Sequence, residues 1–235
     1  MNLDVLGRMP NQNMEGRSTE CVGETVADIV GNIKNQAMDA GFSYAAALKV
    51  MNQTPTTAGS DPYSGMLGAV VYGCLPTEKE AFDATTTGEL YESNLANYQN
   101  RSLALLNAQN GVMVLRSYQE IVNYLMAYKK PVNLAVDWYS TFETPNQDKT
   151  LPAPLGTITE HDVEVCEDTL LGLRVKSWQG PEYGYVFLSE TTFNLIFRGA
   201  WGFDPKASRW MSLVKILLSH WNLYADIYPQ LFTTK

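Results

Sequence analysis

Three cysteines and two histidines are the only thiols and imidazoles in this chain, so any chemistry that needs either can be searched almost exhaustively. Cys21 opens a run with apolar residues at Val22, Val26, Ile29, Val30 and Ile33, the spacing of a helix with one buried face. Ser18 and Thr19 stand before it as caps and Glu24 falls in its first turn. A thiol at a helix N-terminus is stabilised as thiolate by the free N–H groups and the helix dipole. Cys74 closes an apolar helical stretch and Cys166 alternates within a strand, so both read as small buried residues. His161 follows a turn-rich segment, 154–160, and opens a strand, whereas His220 lies inside an amphipathic helix and reads as structural. Cys21 and His161 together could do nucleophilic chemistry: the thiolate attacks an acyl carbon while the imidazole moves the proton. Taken alone, Cys21 reads equally well as a structural residue.

Other chemistries find less support. The cysteines lack CxxC spacing and cannot all pair, so neither a disulfide scaffold nor a zinc site is expected, and a reducing compartment is. No His/Asp/Glu cluster has ligand spacing, and no cofactor or metal is expected. The net charge of −8 argues against nucleic acid as a partner, because phosphate binding needs clustered Lys and Arg. From Leu195 onward Arg198, Lys206, Arg209, Lys215 and Lys235 outnumber Asp204 and Asp226, a basic bias that fits a solvated helix face. No apolar run is long enough to cross a membrane and the N-terminus has no apolar h-region, so no membrane contact is expected. The expected location is cytoplasmic or virion-associated.

The elements that must position the pair follow from periodicity. A second helix is predicted over 44–51, a polar loop over 52–62, and a short helix over 64–74 in which Gly65, Gly68 and Ala69 permit close packing. Residues 83–110 are polar, with a helix over 89–106. Strands are predicted over 112–114, 132–138, 162–166, 171–178 and 184–189, with a helix over 118–128. Helices first and strands afterwards imply an α+β protein: a helical lobe over 1–110 carrying the nucleophile, a sheet lobe over 111–190 carrying the histidine, and a C-terminal extension over 191–235. The extension holds a helix over 209–231 with Trp210, Leu213, Val214, Leu217, Trp221 and Tyr224 on one side. An exposed Trp210/Leu213/Leu217/Trp221 stripe would offer protein partners a surface; packing on its own core is the alternative.

With these motifs in order, the chain resembles the papain-like (C1) cysteine peptidases, in a divergent bacterial or phage form. Gln12 and Cys21 in PNQNMEGRSTECVGETVADIVGN resemble the family's Gln…Cys opening and central helix. SGMLGAVVYGCLPTE is similar to its Gly-containing helix and turn, and KKPVNLAVDWYSTF to the Gly-Pro-Val strand before the histidine. HDVEV stands where the family has His-Ala-Val, and KSWQGPEYGYVFLS where it has Asn-Ser-Trp-Gly…Gly-Tyr. The separation of Cys21 from His161 lies in the family's range, and the resemblance thins after about residue 190.

The resemblance implies a two-lobe fold, with a helical lobe and an antiparallel sheet lobe, and a thiolate–imidazolium pair acting on a peptide or protein substrate. It implies that Gln12 and the Cys21 N–H hold the oxyanion and that Trp178 covers the histidine. Gln12 precedes Cys21 by more residues than in the family, which leaves Asn11 and Asn13 as substitutes. Lys176 stands at the position of the orienting asparagine, where a protonated lysine accepts nothing from imidazole and opposes imidazolium. A one-residue shift would bring in Ser177, which strand alternation would turn to the opposite face. Three readings stay open: a peptidase, acyl transfer by the same pair, and an impaired domain serving a viral or bacterial assembly.

Overall fold

The structure is a computed structural model that describes residues 21–53, 59–76, 95–177 and 184–219. Gln12, Trp178 and His220 lie outside the described residues, as do Asn11, Asn13, Trp221 and Tyr224.

Small residues let the first three helices approach closely. In α1 (Cys21–Lys34), Gly23 lies where a Cβ would meet the Ala40 carbonyl oxygen at 2.6 Å. α2 (Ala40–Val50) starts at Asp39, whose carboxylate accepts from the Phe42 N–H, and α3 (Pro62–Val71) starts at Asp61, whose carboxylate accepts from the Ser64 N–H. Each cap satisfies an N–H that the helix leaves without a partner. A Cβ on Gly65 of α3 would meet Val22 Cγ1 at 2.4 Å. These helices bury Val26, Ile29, Val30, Phe42, Leu48 and Met66 in one core. A shorter α4 (Tyr98–Leu105) is capped by Asn97.

The sheet has six antiparallel strands: β1 (Val112–Leu115), β2 (Val132–Tyr139), β3 (Ile158–Thr169), β4 (Gly172–Lys176), β5 (Tyr185–Leu188) and β6 (Phe197–Phe203). Their order is β1-β6-β2-β3-β4-β5. Alternation sends Leu134, Val136, Trp138, Val163, Val165 and Val175 to one face, where they form a second core with Ile121 and Leu125 of α5 (Tyr118–Tyr128) and Phe193 of α6 (Glu190–Ile196). The other face turns Glu164 to α1, where its carboxylate accepts from Asn32 Nδ2 at 2.6 Å.

The α+β architecture is as expected, with three differences in detail. Residues 197–203, assigned by sequence to an extension, form β6 between β1 and β2. The helix α6 and strand β6 went unread because seven-residue elements show barely two turns or three alternations of pattern. His161 lies inside β3 rather than opening it, because Ile158, Thr159 and Glu160 already pair with Tyr139, Trp138 and Asp137. The terminal helix α7 is described over Arg209–Ser219. Its apolar residues divide: Leu213 and Ile216 pack on the helical core, while Trp210 is 65% exposed and Leu218 82% exposed. The continuous Trp210/Leu213 stripe is therefore broken at its first step.

Candidate active site

Cys21 begins α1, half-buried, and His161 sits on β3; both line a single cleft of about 750 Å³ between helices and sheet. The cleft is closed on its other sides by residues 59–62 at the start of α3, by Ala135 and Val136 of β2, and by Arg198 and Trp201 of β6. Thr25, one turn beyond Cys21, donates from Oγ1 to the Asp162 carbonyl at 3.2 Å, tying the nucleophile's helix to the residue next to His161.

The imidazole is held from two sides. Its ring packs edge-on against Trp138, with centroids 5.1 Å apart at 69°. Its Nε2 lies 3.1 Å from Ser177 Oγ, and Ser177 is buried. With Nε2 so engaged, Nδ1 is the ring nitrogen left for proton exchange with a thiol.

Lys176 does not stand beside the imidazole, which corrects its expected placement. Its ammonium pairs with the carboxylate of Asp28 in α1, and both groups are buried. The reason is register. Val165 pairs with Val175 and Glu164 with Lys176 across β3 and β4, so alternation gives Lys176 the face of Glu164 and Ser177 the face of Val175 and His161. The expectation that Ser177 would point away from the histidine is thus reversed. Burial works to lower the Lys176 pKa, but Asp28 and Glu164 outweigh it and raise it, so the lysine is a cation. Burial raises the Glu164 carboxyl well above the usual range, and Asp28 adds to this.

Electrostatics of the pair differ from a resting thiolate–imidazolium. Burial pushes the Cys21 thiol up to about 12, with Asp162 and Glu24 adding to the rise while the backbone N–H groups of Asp162 and Val22 oppose it. Burial pulls His161 down to about 4. Both shifts favour neutral forms at neutral pH, so the resting arrangement is a thiol facing a cleft that it shares with a neutral imidazole. A thiol and an imidazole in these forms can yield a nucleophile only if the proton moves as an electrophile arrives.

Sequence reasoning missed Trp138, Asp28 and the role of Ser177. The adjacent Lys176-Ser177 pair was the available signal, but its facing depends on the β3–β4 register. Among the described residues no group of three His, Cys, Asp or Glu side chains could hold a metal ion, and no helix is long and apolar enough to cross a membrane.

Helical lobe, antiparallel sheet and the cleft between them define the papain-like cysteine protease fold. The chain is similar to xylellain, a cysteine protease from Xylella fastidiosa, at a TM-score of 0.62 and 14% identity, over 84% of this chain and 82% of that one. It is also similar to the Carica candamarcensis cysteine protease CMS1MS2 in complex with E-64, at a TM-score of 0.59 and 12% identity, over 82% of this chain and 90% of that one. Bromelain from Ananas comosus, again in complex with E-64, matches at a TM-score of 0.55 and 15% identity, over 82% and 91%. At such identities the likeness concerns the fold. No family model and no curated protein matches the chain.

Proposed function

We propose that the chain is a cysteine-type hydrolase of peptide bonds, with Cys21 as nucleophile, His161 as base and then acid, and Ser177 holding the ring. One observation carries this reading: Cys21 and His161 line one cleft, with Nε2 of the imidazole occupied by Ser177 Oγ. The Cys21 proton passes to His161 as Sγ bonds to the carbonyl carbon; the imidazolium then protonates the amine as the C–N bond breaks. Water next attacks the thioester while His161 takes its proton, and as the C–S bond breaks the imidazolium returns that proton to Cys21 Sγ. The Cys21 N–H and the Gln12 amide would stabilise the oxyanion, and Trp178 would shield the histidine. Acyl transfer to an amine in place of water would use the same steps.

E-64, bound by two of the similar proteases, is the probe. Mass spectrometry after incubation is expected to show one adduct, mapped to Cys21 and lost in His161→Ala. A folded chain that takes no adduct and hydrolyses no peptide would sink the reading. A catalytically impaired domain within a viral or bacterial assembly is the second reading, favoured by the neutral pair and the exposed Trp210 and Leu218 on α7. Monomeric elution across concentration would count against it.

A further inference from the structure

The cleft beside Cys21 is chemically lopsided. Asp61 and Glu160 are exposed on its rim, and Asp162, 1% exposed, lies in its wall. Asp162 Oδ2 accepts from Asn133 Nδ2 at 2.7 Å, and burial raises its carboxyl well above the usual range, so the negative charge of the cleft rests on Asp61 and Glu160. Arg198 is the one cation among the described lining residues, and it is already bound to Asp137 at 2.7 Å. Glu160 acts on Arg198 as well, so its charge is offset before any ligand arrives. The field that remains is negative, and a cleft concentrates such a field.

Shape and surface add a second preference. Trp201 forms a wall, its ring centroid 6.2 Å from that of Tyr63, while Val22, Pro62 and Ala135 supply apolar surface. An aromatic face beside carboxylates, with an apolar approach, suits a long aliphatic stem ending in a planar cation. Guanidinium stacks on indole and bonds carboxylates in pairs; a neutral isostere of the same shape does neither as well.

We propose that this cleft selects substrates by an arginine side chain, or a lysine in second rank, held between Trp201 and the carboxylates of Asp61 and Glu160. The inference rests on the hydrolase reading for its biological meaning, but the binding itself does not need turnover.

The test uses the full chain with Cys21→Ala and fluorescein-labelled, blocked tetra-alanine peptides, each carrying one arginine, lysine or citrulline at each position in turn. Fluorescence polarisation is expected to show, at one position, arginine bound at least about tenfold tighter than citrulline, the scale of one desolvated cation–π and carboxylate contact. The preference should fall to near parity in the double variant Asp61→Asn/Glu160→Gln; asparagine caps a helix as well as aspartate does, so α3 keeps its cap. Parity between arginine and citrulline at every position would overturn the proposal, and so would a preference untouched by the double variant. The E-64 adduct on the unmodified chain separates the two ideas. Adduct with parity defeats this inference and leaves the hydrolase; discrimination without adduct upholds the cleft as a binding site for basic peptides and defeats the hydrolase.

Discussion

Ser177 Oγ lies 3.1 Å from His161 Nε2, while the preceding residue, Lys176, reaches the opposite face of the sheet to pair with Asp28. Two consecutive residues therefore hold the two halves of the candidate site. Lys176 anchors the sheet to the helix that carries Cys21, and Ser177 sets the ring that would deprotonate it. Buried charge is costly unless it is paired, and this pair ties the helix to the strand across the base of the site.

Removing the hydroxyl should loosen the imidazole without disturbing the fold. Ser177→Ala is expected to slow E-64 modification of Cys21 by about tenfold, the loss of one buried hydrogen bond of about 1.4 kcal/mol. Thermal melting should move little. An unchanged rate would remove Ser177 from the candidate machinery.

The thiol's environment sets a pH profile. With Cys21 raised to about 12 and His161 lowered to about 4, iodoacetamide alkylation of Cys21 should climb steadily from about pH 6 to about pH 10. Peptide mapping distinguishes it from Cys74 and Cys166, which are more deeply buried. A rate plateau already reached near about pH 5 would show a stable thiolate–imidazolium instead.

His161 also links stability to pH. Its folded pKa, about 4, lies below the unfolded value near 6.5, so the unfolded chain binds the proton more readily between them. The native-state contribution is fully present above about pH 6.5 and is lost as pH falls toward about 4, by at most about 3 kcal/mol. Urea unfolding of the wild type against His161→Gln at both ends of that window isolates it from the carboxyls of Asp162 and Glu164, whose shifts run the other way. A gap between the two proteins that stays constant with pH would contradict the assignment.

Lys176→Met strands Asp28 among apolar and acidic neighbours and should cost about 3–5 kcal/mol in urea unfolding. Adding Asp28→Leu should restore much of that loss. Losses that simply add would mean the two side chains do not act as a pair.

Close helix packing sets the position of Cys21. Gly23→Ala places a methyl group 2.6 Å from the Ala40 carbonyl oxygen, and α1 must shift to relieve it. The expected cost is about 1–3 kcal/mol of stability, with slower Cys21 modification by E-64. A variant as stable as the wild type would show that α1 and α2 separate freely.

Much of this was legible in the chain itself. Apolar spacing after Cys21 located a helix, Tyr118–Tyr128 read as a helix with its bounds as found, and the order of helices before strands implied the α+β fold. Cys21 and His161 were selected because thiols and imidazoles are few and most others sat in apolar patterns. These are local signals: periodicity and capping act over a turn or two of backbone, and neighbouring residues suffice to show them. The facing of Lys176 and Ser177, the insertion of β6 between β1 and β2, and the gathering of Asp61, Glu160, Asp162 and Trp201 around one cleft were decided only by tertiary structure. Each depends on which distant strands pair and in what register, and a slip of one residue there turns every side chain to the other face.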